Sequence, residues 1–372
     1  MMLLLKLIAI VALWLYAGAL LYAAIGFWRS HFFTSRLEHK NFTRVTVVIP
    51  ARNEEANIEA CLSSILSQEF DFSLLQIIVV NDASNDKTLE ITERILSQSG
   101  ISHLIISNQT QEGKKKSLTK AIESADGSLI ITRDADTYTT SNRWLKTIVD
   151  FHEVSKKEFI IAPVRYENKN GLLSQIQYFE SLALSILTGG YAAYKKAFLC
   201  SGANLAFTKS VFRSTNGYSN HLNIASGDDV LFLEEVKKVK PETIVYLKQN
   251  DATVITYPEK NLRNLAFQKI RWASKIGQNS TIFNAFLGIL VLFIHVFTVF
   301  SLFVLLFRQH ISAFGIIFIL GRFLIDYLLL FLASRYFKQD LKWWWFLPAG
   351  LIYSVFVSIT AILSLLIKPN WK

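Results

Sequence analysis

The chain is 372 residues long, 51% hydrophobic and only 18% charged, with a formal net charge of +10 at pH 7. That balance is too apolar for an ordinary soluble protein and points to membrane spans. It also argues against a nucleic-acid surface, because the basic residues gather beside the apolar runs and form no stripe interleaved with aromatics.

Leu7 to Phe27 is the first uncharged apolar run. It is long enough for the roughly 20 residues that cross a hydrocarbon core. Ala17-Gly18-Ala19 has the small-residue pattern of a signal-peptide cleavage site, but the apolar run continues past it. A retained transmembrane helix is therefore expected over 1–28. Arg29, Arg36, Lys40 and Arg44 follow this run, and Lys269, Arg271 and Lys275 precede the next one. Such basic flanks predict a cytosolic side, so the stretch 44–277 is expected to be one cytosolic domain.

Within that stretch, strand-like and helix-like patterns alternate. Strands are expected at Val45–Ile49, Leu75–Val80, Ser102–Ile106 and Leu129–Thr132, with helices near Glu54–Ser67, Thr88–Ser97 and Lys114–Ser124. The alternation predicts an α/β fold with a parallel, doubly wound sheet, whose ligands bind beyond the carboxyl ends of the strands. Polar residues stand at those ends: Pro50-Ala51-Arg52-Asn53-Glu54-Glu55, then Asn81-Asp82-Ala83-Ser84-Asn85-Asp86, then Arg133-Asp134-Ala135-Asp136.

Asp134 and Asp136, two apart after an apolar strand, can share one hard cation. Mg2+ or Mn2+ binds through one or two carboxylates and keeps positions for substrate phosphates. Ser226-Gly227-Asp228-Asp229 opens an apolar helix; the acids either favour the helix dipole or hold a base rigidly, and both can be true. In Gln268-Lys269-Ile270-Arg271-Trp272, Gln268 and Arg271 share a helix face, although a membrane-interface anchor also explains an Arg and a Trp there. Cys61 and Cys200 form no metal-ligand spacing, and a cytosolic domain would keep them reduced.

Three further apolar runs follow: Ile282–Phe307 with His295, Ile311–Ala333 with Arg322 and Asp326, and the uncharged Trp343–Ile367. They predict a membrane region over 281–368. Arg335, Lys338 and Lys342 lie between the last two runs, which agrees with a cytosolic loop there. Arg308 alone marks the outward loop, while Lys368 and Lys372 at the outward end oppose this orientation. Arg322 and Asp326, four apart, are expected to pair with each other or with a neighbouring span.

Taken in order, five motifs carry a resemblance: Pro50-Ala51-Arg52-Asn53-Glu54, Asn81-Asp82-Ala83-Ser84-Asn85-Asp86, Asp134-Ala135-Asp136, Gly227-Asp228-Asp229 and Gln268-x-x-Arg271-Trp272. Together they resemble the family 2 glycosyltransferases with the GT-A fold, in the membrane-bound branch of cellulose, chitin and hyaluronan synthases and ceramide glucosyltransferases. The resemblance covers about 44–277 and the placement of the spans. It implies that Pro50, Glu54 and Asp82 contact the donor, with Glu54 and Asp82 at the uridine, and that Lys114 lies near the nucleotide. It implies Asp134 at the donor sugar and diphosphate, and Asp136 with Asp134 on the metal. Asp229 matches the base, with Asp228 beside it. Cys200, Ser201 and Gly202 match the acceptor segment, and Gln268, Arg271 and Trp272 the diphosphate and acceptor end. Two departures stand out: Asn81 where the family often has aspartate, and Asp228 where it usually has glutamate.

The function so implied is inverting, metal-dependent transfer of a sugar from a nucleotide-diphosphate sugar, a UDP-sugar by expectation. The acceptor would be a growing polysaccharide or another membrane-proximal molecule. Single-sugar transfer to a lipid is the alternative, suited to one span before the domain and three after it. A transporter that only binds nucleotide is a different class, motivated by Arg322 and Asp326; it would need neither Asp229 nor Arg271-Trp272. The expected location is the bacterial inner membrane, with the catalytic domain cytosolic, membrane lipid as a partner and no nucleic acid.

Overall fold

In a computed structural model the described residues are 2–30, 42–222, 227–279, 282–307 and 313–366. Ser226, Ile311, Ile367 and the flanking Arg36, Lys40, Arg308, Lys368 and Lys372 lie outside them, as does the side chain of Lys275. The chain divides into two units. One comprises Trp28–Tyr166 and Tyr191–Tyr257; the other comprises Met1–Phe27, Glu167–Gly190 and Pro258–Lys372.

The first unit is built on β1 (Val45–Ala51), β2 (Leu75–Asn81), β3 (Ser102–Ser107), β4 (Leu129–Thr132), β5 (Thr137–Tyr138), β6 (Phe159–Ile161), β7 (Val164–Tyr166), β8 (Leu205–Thr208), β9 (Ile244–Tyr246) and β10 (Val254–Thr256). Its main sheet has the order β3-β2-β1-β4-β8-β6-β9, and β5, β10 and β7 form a second, three-stranded sheet. β1 to β4 are mutually parallel, as the alternation predicts. β1 and β2 are mostly apolar and buried along nearly their whole length because helices cover both faces of such a sheet. Val47, Ile49, Ile77 and Val79 pack in one core with Ile58, Leu62, Trp144 and Ile148. Each such side chain contributes roughly 1.5–3 kcal/mol on burial. Pro50 is tolerated within β1 because the pairing with β4 stops at Val48 opposite Thr132, where no further N–H is needed.

The sheet departs from the fully parallel expectation at β8, which runs antiparallel to β4 and to β6. The departure has a functional consequence. Leu205, the first residue of β8, pairs with Thr132, the last of β4. The residues that lead into β8 therefore arrive at the sheet edge where β4 ends. A parallel strand would have brought its own carboxyl end there instead.

The second unit holds most of the helices Met2–Arg29 and Leu172–Ala193, and the helices Leu262–Asn279, Ile282–Phe307, Ala313–Phe337 and Phe346–Leu366. Four stretches, Leu3–Arg29, Ile282–Phe307, Ala313–Phe337 and Trp343–Ser364, are helical, long and apolar enough to cross a membrane. The segments Glu167–Gly190 and Pro258 onward, inside the stretch 44–277, group with these apolar helices.

A polar network joins all four. Arg322 Nε lies 3.1 Å from Asp326 Oδ2, Arg322 Nη1 donates to Ser354 Oγ at 2.6 Å, and Nη2 is 3.3 Å from His295 Nδ1. Tyr16 Oη donates to Asp326 Oδ1 at 2.6 Å. The expected pairing of Arg322 with Asp326 is thus present, and a neighbouring helix completes it. A lone charge at this depth would be costly. A second link binds the helix of the Gln-x-x-Arg-Trp motif: Lys269 Nζ reaches Glu180 Oε2 at 2.5 Å, and Tyr353 Oη donates to Glu180 Oε1 at 2.8 Å.

Candidate active site

The loops after β1 and β2 are laced together. Asn53 and Ala83 both adopt positive φ, 54° and 55°. Asn53 N–H donates to Ser84 Oγ at 3.0 Å, and Asn53 Oδ1 accepts from Asn85 N–H at 2.9 Å. Glu54 N–H donates to Thr88 Oγ1 at 2.7 Å, and its carboxylate accepts from Asn57 Nδ2 at 2.8 Å. Strained backbone held by such bonds is typical of ligand-facing loops.

Asp82 is buried, and both carboxylate oxygens accept bonds from one loop. Oδ1 takes Asn108 Nδ2 at 2.8 Å and Glu112 N–H at 2.8 Å; Oδ2 takes Gly113 N–H at 2.9 Å. These bonds fix the approach to the helix Lys114–Glu123. Gly113 has φ of 90°, a conformation that favours glycine. Asp82 thereby sets where Lys114 begins.

Lys114 is the centre of the site. Its Nζ lies 2.7 Å from Asp134 Oδ1 and 3.4 Å from Asp228 Oδ2. Burial works against its charge, but the carboxylates of Asp134, Asp228 and Asp229 outweigh burial and hold its pKa well above the ordinary lysine value. Asp228 and Asp229 open the helix Asp228–Val239, whose N-cap is Gly227 at φ of 81°. Asp229 Oδ2 accepts from Gly202 N–H at 3.1 Å, and its Oδ1 accepts from Val230 N–H at 2.8 Å. A Cβ on Gly202 would stand 3.1 Å from Asp228 Oδ2 and 3.4 Å from Lys114 Nζ. The antiparallel entry of β8 is what brings Gly202 here.

Asp134 and Asp136 lie beyond β4 as expected. Burial, then the charges of Asp134 and Glu54, push the Asp136 carboxyl up to about 7. Burial foremost, with Asp134 and Asp86 adding, raises Glu54 despite its bond from Asn57. Mutually repelling acids of this kind are a place for a cation. Among the described residues no three His, Cys, Asp or Glu are grouped as a full metal cage. Two carboxylates with other positions left to phosphates suit Mg2+ or Mn2+ and do not suit a closed structural zinc site. The residues therefore fit a divalent cation. Cys61 Sγ is 3.7 Å from the Asp134 carbonyl oxygen, and burial pushes its thiol up to about 11, so it is an inert part of the wall.

The structure thus brings together Glu54, Lys114, Asp134, Asp136, Gly202, Asp228 and Asp229, with Asp82 behind the loop that carries Lys114. Pro50 stands in β1 just before the Asn53–Glu54 turn. Cys200 and Ser201 lead into Gly202, and Ser201 Oγ accepts from Ala203 N–H at 3.4 Å. Gln268, Arg271 and Trp272 belong to the other unit, on the helix Leu262–Asn279. There Lys269 Nζ lies 4.0 Å from the Trp272 ring centroid. Sequence reasoning passed over Arg133, which is fully buried beneath Asp134. Its one signal is an arginine placed directly after an apolar strand.

Comparison with known proteins agrees with the fold. The profile described as Glycosyl transferase family 2 matches residues 46–215, ending before Asp228 and the Gln-x-x-Arg-Trp motif. A poly-beta-1,6-N-acetyl-D-glucosamine synthase of Staphylococcus epidermidis is 26% identical over 176 residues, 44% of this chain and 42% of that protein. A probable glycosyltransferase of Bacillus subtilis is 25% identical over 185 residues, 49% of this chain and 44% of the relative. The chain thus spans less than half the length of these curated relatives. Among solved structures, a mannosyltransferase from Pyrobaculum calidifontis in complex with GDP-Man and Mn2+ shares the fold, with a TM-score of 0.57 and 17% identity. That likeness covers 97% of this chain and 99% of the other. Residues 46–215 thus match the family 2 glycosyl transferase model, and the chain shares its fold with a solved mannosyltransferase.

Proposed function

We propose that the protein is a membrane-embedded glycosyltransferase that moves a sugar from a nucleotide-diphosphate sugar, a UDP-sugar, to a growing glycan. The observation that carries this reading is the convergence of Lys114, Asp134, Asp228 and the Gly202 backbone at one sheet edge. Asp229 takes the proton from the acceptor hydroxyl. Its two oxygens are fixed by Gly202 and Val230 N–H groups, so the carboxylate is aimed before the acceptor arrives. Lys114 moves its charge to the diphosphate as the donor binds, and Pro50, Glu54 and the loop anchored by Asp82 receive the nucleoside. By the same resemblance, Gln268, Arg271 and Trp272 are the residues assigned to the diphosphate and the acceptor end. Asp134 and Asp136 would hold Mg2+ or Mn2+, which would neutralise the leaving diphosphate. One base and no side-chain nucleophile give a single displacement with inversion at C1. The glycan acceptor follows the name of the Staphylococcus relative, a polysaccharide synthase. Four helices long and apolar enough to cross a membrane support an integral membrane enzyme, and the basic flanks support a plasma-membrane orientation with the catalytic domain in the cytosol.

The test is product length. Membranes carrying the protein are given labelled UDP-sugars and the products are separated on a gel. A ladder or a high-mass band supports the reading. One extractable lipid-linked sugar would replace the glycan acceptor by a lipid, and no labelled product from any donor would remove the function.

A further inference from the structure

Arg133 closes β4 and is 0% exposed. Removing a guanidinium from water is costly unless its surroundings compensate. Among the described residues no carboxylate lies within ion-pair distance of it. Its partners are neutral. Nη2 donates to Ser64 Oγ at 2.7 Å and to the Thr137 carbonyl oxygen at 3.3 Å, and Nε donates to Thr137 Oγ1 at 3.2 Å. Nη1 is buried without a hydrogen-bond partner. The guanidinium lies 4.8 Å from the Trp144 ring centroid, and Trp144 is itself held by Nε1 donating to Asn204 Oδ1 at 3.1 Å.

Thr137 leads onward. Its Oγ1 donates to the carbonyl oxygen of Asp134 at 2.7 Å, closing the turn Asp134–Thr137. Two of the arginine's bonds therefore end on the residue that closes the turn bearing Asp134 and Asp136. The third ends on the helix Ile58–Leu66, behind the turn. Planar, five-donor arginine can hold both sides at once; lysine cannot.

We propose that Arg133 is a positioning residue for the cation site: through Thr137 it holds the Asp134–Thr137 turn so that both carboxylates face one ion. This rests on the reading of Asp134 and Asp136 as metal ligands. Because its own acceptors are neutral, Arg133 orders the turn without forming an ion pair with either carboxylate. Groups that orient metal ligands from behind typically change affinity by 10–100-fold when removed.

The test is Mn2+ titration of the purified full-length protein, followed by electron paramagnetic resonance of free Mn2+, with thermal unfolding in parallel. Asp136→Asn is the control that loses the site. Thr137→Val cuts the link between Arg133 Nε and the Asp134 carbonyl, and should weaken Mn2+ on the order of tenfold. Arg133→Met should do at least as much, Arg133→Lys should recover part of it, and the two losses should not add because they break one chain of contacts. Ser64→Ala removes the arginine's anchor away from the site; it should lower the unfolding temperature while leaving Mn2+ affinity within about twofold. If Arg133→Met fails to fold, Thr137→Val against Ser64→Ala decides. Thr137→Val and Arg133→Met with wild-type Mn2+ affinity and lowered stability would make Arg133 a packing residue and overturn the proposal. Wild type that binds no more Mn2+ than Asp136→Asn would instead remove the metal reading, and the proposal with it.

Discussion

Arg322, in the apolar unit, meets a counter-ion one helical turn away at Asp326 and also reaches Ser354 and His295. Arg133, in the sheet unit, is just as deeply buried but gives its hydrogens to a serine and a threonine and lays its plane on a tryptophan. The contrast follows from what each region must do. Between apolar helices no water can compensate a charge, so the ion pair is completed in place and serves to register the helices. Beneath β4 a paired arginine would have consumed Asp134 or Asp136. Partnering it with neutral groups leaves Asp134 free to pair with Lys114.

The comparison can be broken most forcefully in the apolar unit. Arg322→Met leaves the part-buried Asp326 without its cation, with Tyr16 as its remaining hydrogen-bond partner among the described residues, and should cost up to about 3–5 kcal/mol, the scale for removing one partner of a buried pair. Arg322→Met combined with Asp326→Leu should unfold at a higher temperature than either single change. Equal losses in all three variants would show that the pair is not a unit. In the sheet unit the expected damage is chemical. Asp229→Asn should cut turnover at saturating donor on the order of 100-fold or more while folding normally, and Asp228→Asn should cost less. A dead Asp228 variant beside an active Asp229 variant would shift the base by one residue.

A third effect is smaller and depends on pH. Asp136 keeps a proton up to about pH 7, which an incoming cation must displace. Mn2+ affinity should therefore fall as pH drops through 7, by up to tenfold per unit. The sign for stability is opposite. The folded state binds more protons than the unfolded one between about pH 4 and 7, so the metal-free protein should lose stability as pH rises across that window. Calorimetry with and without Mn2+ at pH 5.5 and 8 reads both, and a pH-independent affinity would detach Asp136 from the cation. Smallest is Tyr16→Phe, which removes one bond to Asp326 and should cost about 1.5–3 kcal/mol less any recovery by repacking; an unchanged melting temperature would place Tyr16 outside the network.

The parallel strands β1, β2 and β4 were legible because each is a largely apolar run ending in a polar cluster, β3 was legible from the alternation of strands and helices, and Asp134 and Asp136 were legible because they follow such a run. Asp228 and Asp229 were read correctly as the start of a helix. β8 was not legible as antiparallel, since Leu205–Thr208 is four residues with no directional signal of its own; its orientation is set by pairing with β4 and β6. Arg133 was passed over for the same reason. Its partners Ser64, Thr137 and Trp144 become neighbours only when the sheet is built. Asp82 illustrates a finer limit: the sequence presents it as one acid in a polar turn, whereas its three bonds to Asn108, Glu112 and Gly113 make it the anchor of the Lys114 loop.

The central claim is that the carboxylates and lysine at the sheet edge catalyse sugar transfer from a nucleotide donor. The most direct measurement is nucleoside diphosphate release by the purified protein across a panel of nucleotide sugars, with Mn2+ or Mg2+ and with chelator. Release from a UDP-sugar should cease in chelator and fall on the order of 100-fold or more in Asp229→Asn. Release that continues unchanged in Asp229→Asn, or no release from any nucleotide sugar, would contradict it.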